Sequence, residues 1–191
     1  MEEQDDAAGA IVIRSCHSGD RDEMLAVINT AAGAYRGLIP EDHWHEPYMP
    51  ADEFASEVAD GVVFSGCVAR DRIVGVMAVQ RRYNVDLIRH AYVLPRWQGR
   101  GIGSILLGHL RKGADRPILI GTWAAAEWAI RFYERHGFAR VSDEDAARLL
   151  RTYWNIPEGQ IATSIVLASP ELGGEAASQL MADVPPPPAP G

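Results

Sequence analysis

Apolar and polar positions divide the chain into strands and helices from Ile11 onward. Ile11-Val12-Ile13 is a short apolar run and predicts a first strand. Met24, Val27, Ile28 and Ala31 recur at helical spacing, so a helix is expected to end near Gly33, with Asp20 and Glu23 as its capping box. Pro50 to Ala59 predicts a second helix with Phe54 and Val58 on one face. Val62 to Ala69 and Ile73 to Gln80 predict strands joined by a tight turn at Arg70-Asp71-Arg72. Gly75, inside the second of these, predicts a bulge or a close ligand approach. Leu87 to Leu94 predicts another strand. Ile102, Ile105, Leu106 and Leu110 mark the helix after it, and Ile118 to Gly121 the strand after that. A strand–helix–strand crossover requires a parallel pair, whereas the hairpin is antiparallel, so the expected sheet is mixed. A later helix places Trp128, Phe132 and Arg135 on one side and Ile130, Tyr133 and Glu134 on another. Gly137 is its C-cap and Phe138 the apolar residue beyond. Glu144 to Thr152 predicts a short helix, and Ile161 to Ala168 a last strand.

At 191 residues the chain is long enough for one full core. An acidic, flexible segment is expected over 1–10, an ordered domain over 11–168, and a flexible tail over 169–191 ending in a proline run. That tail is read as solvated rather than as a polyproline ligand. The net charge of −8 argues against nucleic acid, whose phosphates need a basic face, and suits a cationic substrate. No apolar run is long enough to span a membrane, and the N-terminus lacks the features of a signal peptide. Cys16 and Cys67 have no metal-binding spacing and read as reduced thiols, which points to the cytoplasm.

Tyr35 to Pro50 holds three prolines, three aromatics and two histidines, and cannot be one regular element. Long irregular segments in compact domains are often binding loops. His43 and His45 would face one way only on a strand, which the prolines oppose, so no metal is expected.

The stretch from Tyr92 to Ser104 carries the clearest chemistry. An apolar strand enters it, a helix leaves it, and Gly99, Gly101 and Gly103 lie between. Glycine allows a sharp turn and close approach to the backbone. The unpaired amides and positive dipole end of a new helix then make an anion site, most naturally for phosphate. The dinucleotide fingerprint fails, because Ser104 and Leu106 stand where the last glycine would be. The P-loop fails too, because no Gly-Lys-Ser/Thr follows.

Gln-x-x-Gly-x-Gly, read as Gln98, Gly101 and Gly103, does fit. It resembles the pyrophosphate loop of the GNAT superfamily of acyl-CoA-dependent N-acetyltransferases. Downstream, Ala129-x-x-Phe132-Tyr133-x-x-x-Gly137-Phe138 is similar to that family's C-terminal motif. The resemblance spans about Ile11 to Leu167 and is strongest over Ala91 to Leu107 and Ile118 to Phe138. It implies a GNAT-like α/β fold: a mixed, mostly antiparallel sheet of six to seven strands, splayed at the cofactor site. It implies acetyl-CoA as co-substrate, held by Tyr92, Val93, Leu94, Gln98, Gly99, Arg100, Gly101, Ile102, Gly103 and Ser104, with Ala126 and Phe132 nearby. Tyr133 would be the general acid that protonates the departing thiolate. A backbone amide of Tyr92–Leu94 would polarise the thioester. Tyr35, Trp44, His45 and Tyr48, with Arg89, would wall the acceptor pocket.

The sequence departs from the family in two places. Ala126 stands where the family often has an asparagine that touches the cofactor arm. Leu87 and Arg89 occupy the positions of the usual general base, and neither accepts a proton at neutral pH. Asp86 and His90 lie on the opposite strand face unless a bulge intervenes. Glu41, His43, His45, Glu46 and water are further candidates. The favoured reading is an acetyltransferase for a small-molecule primary amine, and a homodimer is compatible with it. A non-catalytic acyl-CoA sensor and a protein-amine acetyltransferase are the alternatives.

Overall fold

A computed structural model of the chain describes residues 10–184. They fall into two compact units. The first takes the described residues up to 36, with Trp44–Val79 and Arg89–Gly113; the second takes Gly37–His43, Gln80–Ile88 and the described residues from 114 on. Among the described residues, seven strands follow the hydrogen-bonded order β1-β2-β3-β4-β5-β7-β6. Pairing of β4 (Val85–Val93) with β5 (Ile118–Trp123) is parallel, whereas β1 (Val12–Ser15) with β2 (Val62–Ala69), and β7 (Ser164–Ser169) with both β5 and β6 (Ala139–Arg140), are antiparallel. The expected mixed, mostly antiparallel sheet is therefore present.

In the first unit, α1 (Arg21–Ala32) buries Met24, Val27, Ile28 and Ala31, as their spacing requires. Met24, Val27 and Ile28 pack with Phe54 of α2 (Ala51–Ala59) and with Phe64 of β2, whose ring stacks on Phe54 at 5.1 Å. Val58 does not join them and is 46% exposed, because the inward stripe of α2 runs from Phe54 through Glu57 instead. The expected Asp20–Glu23 capping box is also replaced. His17 caps a short 3₁₀ turn at Ser18–Asp20. The buried Asp20 carboxylate takes Arg14 at 2.7 and 2.8 Å and the His17 amide at 2.9 Å, so it is held well below the usual carboxylate range. Glu23 instead accepts the amide of Ile73 at 2.9 Å. Arg70 and Asp71, both with positive φ, make the two-residue hairpin into β3 (Arg72–Arg82).

Gly75 of β3 makes room for packing. A Cβ there would lie 3.0 Å from Ile102 Cγ2, 3.2 Å from Val93 Cγ2 and 3.4 Å from the Tyr92 carbonyl oxygen. The missing side chain lets the first turn of α3 (Ile102–Arg111) sit against the strand. Gly75→Val should therefore overpack this contact and cost about 1–3 kcal/mol in denaturant unfolding. A loss within ±0.5 kcal/mol, the range usual for surface substitutions, would contradict the contact.

In the second unit, Leu87, Leu119, Leu149, Leu150 and Val166 form the buried centre. It also holds α4 (Glu127–Arg135), α5 (Asp143–Tyr153), α6 (Glu158–Ala162) and α7 (Gly174–Ala182). Ser142 caps α5 by accepting the Asp145 amide at 3.2 Å. Ile161, expected at the start of the last strand, lies in α6, because Pro157 opens a helical turn before β7. The domain boundary expected at 168 falls short of α7. The Tyr153 hydroxyl lies 2.9 Å from Asn84 Oδ1 and 3.0 Å from the Leu180 carbonyl oxygen, with one proton to donate between them, and Asn84 Nδ2 donates to that carbonyl at 2.8 Å. With Ala177 buried, these bonds tie α7 to the unit. The acidic segment over 1–9 and the proline run over 185–191 lie outside the described residues. No helix among the described residues is long and apolar enough to cross a membrane.

Candidate active site

The first unit carries the glycine loop. The Leu94 amide donates to Val74 at 2.9 Å, so strand alternation turns the Val93 amide to the edge of β4 away from β3. Pro95–Trp97 makes one 3₁₀ turn, and the Gln98 side-chain amide folds back to donate to the Val93 carbonyl at 3.0 Å. The Gln98 side chain thus holds the loop to its strand. Gly99 and Gly101 have φ of +74° and +77°, and a Cβ at either would meet nothing within 4 Å. The left-handed backbone selects glycine, and the open space beyond leaves the loop accessible. Gly101 is the N-cap of α3 and no side chain caps that end. Helix geometry therefore leaves amides at the start of α3 without intrahelical acceptors, in a positive dipole field. Ile102 is buried and anchors the turn, and the Arg100 guanidinium lies 5.1 Å from the Trp97 ring. Ile105, expected on the inner face of α3, is 46% exposed, and Leu107 is buried in its stead.

The three aromatics of the irregular segment gather in this unit, with His45 and with Tyr92 of β4. Tyr35 lies 6.0 Å from Tyr48 and 6.4 Å from Tyr92, and Tyr48 lies 6.5 Å from Tyr92. Trp44 and His45 flank Tyr48 at 5.6 and 6.2 Å. Arg36 stands over Trp44 at 5.4 Å and pairs with Glu46. Burial, with Tyr48 close by, pushes the Tyr35 phenol far above its ordinary value.

Below Tyr92 the strand is irregular. His90 has φ of +50°, a bulge in mid-strand. Arg89 and His90, consecutive residues, consequently reach one carboxylate: Arg89 Nη2 lies 2.8 Å from Glu57 Oε1, and His90 Nε2 3.3 Å from Glu57 Oε2. Of the other base candidates, His45 and Glu46 stay with the aromatic group, and Asp86, His43 and Glu41 lie in the second unit. Asp86 is buried in the second unit, 3.6 Å from Arg81, and burial raises its carboxyl. His43 lies beside Trp123 at 5.5 Å, also in the second unit, and His45 Nδ1 contacts the Pro47 carbonyl at 2.8 Å. Glu41 is exposed. Among the described residues, no group of three or more His, Cys, Asp and Glu is placed to hold a metal ion.

The second unit carries Tyr133. It lies in the last turn of α4 and is 5% exposed. Gly137, at φ +80°, closes the helix: the Gly137 amide donates to Glu134 at 3.0 Å and the Phe138 amide to Tyr133 at 3.1 Å. This closure sets Phe138 against the Tyr133 ring at 5.9 Å, while Phe132 lies at 5.0 Å. Ala126 is buried at the head of α4 and its carbonyl accepts the Ala129 and Ile130 amides, so it offers no polar side chain there. A cavity of about 500 Å³ in this unit is lined by Leu38, Ile39, Pro40, Trp123, Ala124, Ala125, Ala162 and Thr163. It was not visible in the sequence, because Leu38–Pro40 belongs to no element and the alanines carry no signal.

A GNAT acetyltransferase domain model matches residues 61–140. The aminoglycoside N(6')-acetyltransferase type 1 of Stenotrophomonas maltophilia is 33% identical over 75 residues, which cover 34% of this chain and 49% of that protein. The match thus spans about half the length of that curated relative. The PaiA N-acetyltransferase of Thermoplasma acidophilum, solved in complex with coenzyme A, superposes with a TM-score of 0.64 at 17% identity, covering 83% of this chain and 98% of that one. The ribosomal-protein-S18-alanine N-acetyltransferase of Escherichia coli gives 0.60 at 20% identity, covering 87% and 97%. Residues 61–140 are thus similar to a GNAT acetyltransferase domain, and the fold of the chain is the GNAT fold.

Proposed function

We propose that this protein transfers the acetyl group of acetyl-CoA to a primary amine of a small molecule. The observation that carries the reading is the uncapped α3 N-terminus behind two left-handed glycines, which fits a pyrophosphate. In this reading the Val93 amide, turned away from β3, donates to the thioester oxygen as negative charge develops on it. The amine nitrogen forms its bond to the carbonyl carbon and the carbon–sulfur bond breaks. The Tyr133 hydroxyl gives its proton to the departing thiolate. Its phenolate then takes up a proton shed by the new amide nitrogen. The aromatic group around Tyr48 holds the acceptor. The net charge of −8 and the aminoglycoside-acetylating relative both favour a cationic amine. The two free cysteines suit a reducing cytoplasm.

Trp44→Ala or Tyr48→Ala should raise the acceptor KM several-fold, since one cation–π contact is worth about 0.5–2 kcal/mol. The affinity for acetyl-CoA, read by thermal shift, should stay near that of the parent. Equal weakening of both substrates would assign the aromatics to packing alone.

A further inference from the structure

We infer that His90, oriented by Glu57, is the base that takes the proton from the acceptor's ammonium; this rests on the acetyltransfer reading above. Three observations carry it, all within the first unit. The first is the bulge. A non-glycine residue at φ +50° in mid-strand is strained, and such strain gathers where a side chain must be re-aimed. The second is the partnering. His90 Nε2 faces Glu57 Oε2 at 3.3 Å, and the His90 ring stacks on Phe64 at 5.5 Å. A carboxylate on one ring nitrogen fixes the tautomer, so Nε2 donates to it and Nδ1 keeps the lone pair. Among the described residues Nδ1 has no protein partner. The third is location. His90 and Tyr92 both lie against the α1/α2 side of the strand, where Tyr92 meets Tyr35 and Tyr48. His90 is two residues from Tyr92 on the same strand, and its ring stacks on Phe64 of the same core. Its side chain is 11% exposed, so it is not sealed in the core.

The groups that bear on His90 are Glu57 from α2, Arg89 on its own strand and the Phe64 ring from β2. Burial raises the Glu57 carboxyl, but the His90 hydrogen bond and the Arg89 charge outweigh it, so Glu57 lies below the ordinary glutamate value. It remains a carboxylate while His90 cycles. In the step itself, the R–NH₃⁺ proton passes to Nδ1, directly or through one water. The free amine then attacks the thioester carbon, and His90 returns the proton to bulk water. Glu57 is a positioning residue: it touches neither substrate, and acts through the ring.

Chemistry separates a base from a structural histidine. His90→Gln keeps a hydrogen-bonding side chain of similar reach but cannot accept a proton at neutral pH. With an acceptor whose ammonium pKa lies well above the assay pH, kcat/KM should fall by about 10²–10⁴-fold. With an acceptor whose ammonium pKa lies below the assay pH, such as a hydrazide, the nitrogen arrives unprotonated and the loss should shrink to a few-fold. Glu57→Gln should give the same pattern with a smaller amplitude. The thermal shift by acetyl-CoA should be unchanged in both variants. Equal losses with both acceptors would overturn the proposal and make the cluster structural. A wild-type chain without acetyl-CoA shift or turnover would refute the acetyltransfer reading itself, a separate outcome.

Discussion

Tyr133→Phe should lower kcat by about 10²–10⁴-fold, the usual worth of general acid catalysis, while the protein folds and binds acetyl-CoA as before. The ring is what packs: it meets Phe138 at 5.9 Å and Phe132 at 5.0 Å, and phenylalanine keeps it. Only the hydroxyl is lost. Because its proton is needed as the thiolate departs, the loss belongs to kcat rather than to either KM. The measurement is steady-state thiol release with both substrates varied. Wild-type turnover would mean that the thiolate leaves unassisted or that another acid serves.

Gly101→Asp should abolish the stabilisation that acetyl-CoA confers. A ligand at one hundred times its Kd adds about 2.7 kcal/mol to the native state, so the parent's shift is easily read. Gly101 has φ of +77°, and aspartate tolerates that region better than most residues, so the fold should survive. The added carboxylate would instead repel a pyrophosphate at the α3 N-terminus. Gly101→Asn is the control: it has the same shape and tolerance of positive φ, without the charge, and should keep part of the shift. A full shift in the folded Asp variant would remove this loop from the cofactor site.

The elements with strong periodicity were legible in the sequence, and the exceptions share physical causes. Met24, Val27, Ile28 and Ala31 marked α1 because one face meets a single core. Val58 and Ile105 misled because helical spacing says which residues share a face, not how wide the buried stripe is. The caps failed where tertiary partners compete: Arg14 claims Asp20, and Ile73 claims Glu23. Helix α7 was missed because its anchor, the Tyr153–Asn84–Leu180 network, joins residues distant in sequence. Around the candidate site, the glycine turn before α3 and the helix that carries Tyr133 were readable because each is a local pattern. The partnership of Glu57 with His90 was not, since alternation put His90 on the wrong face and only the bulge reverses that.

The most direct test of acetyltransfer follows thiol release and the mass of the amine together. The full chain is incubated with acetyl-CoA and a panel of primary amines, from simple monoamines to polycationic sugars. The account predicts release that depends on both protein and amine, with one acetylated amine formed for each thiol, and strongest for a cationic acceptor. An acetyl-CoA thermal shift with no amine-dependent thiol release across the panel would contradict it and leave a binding module.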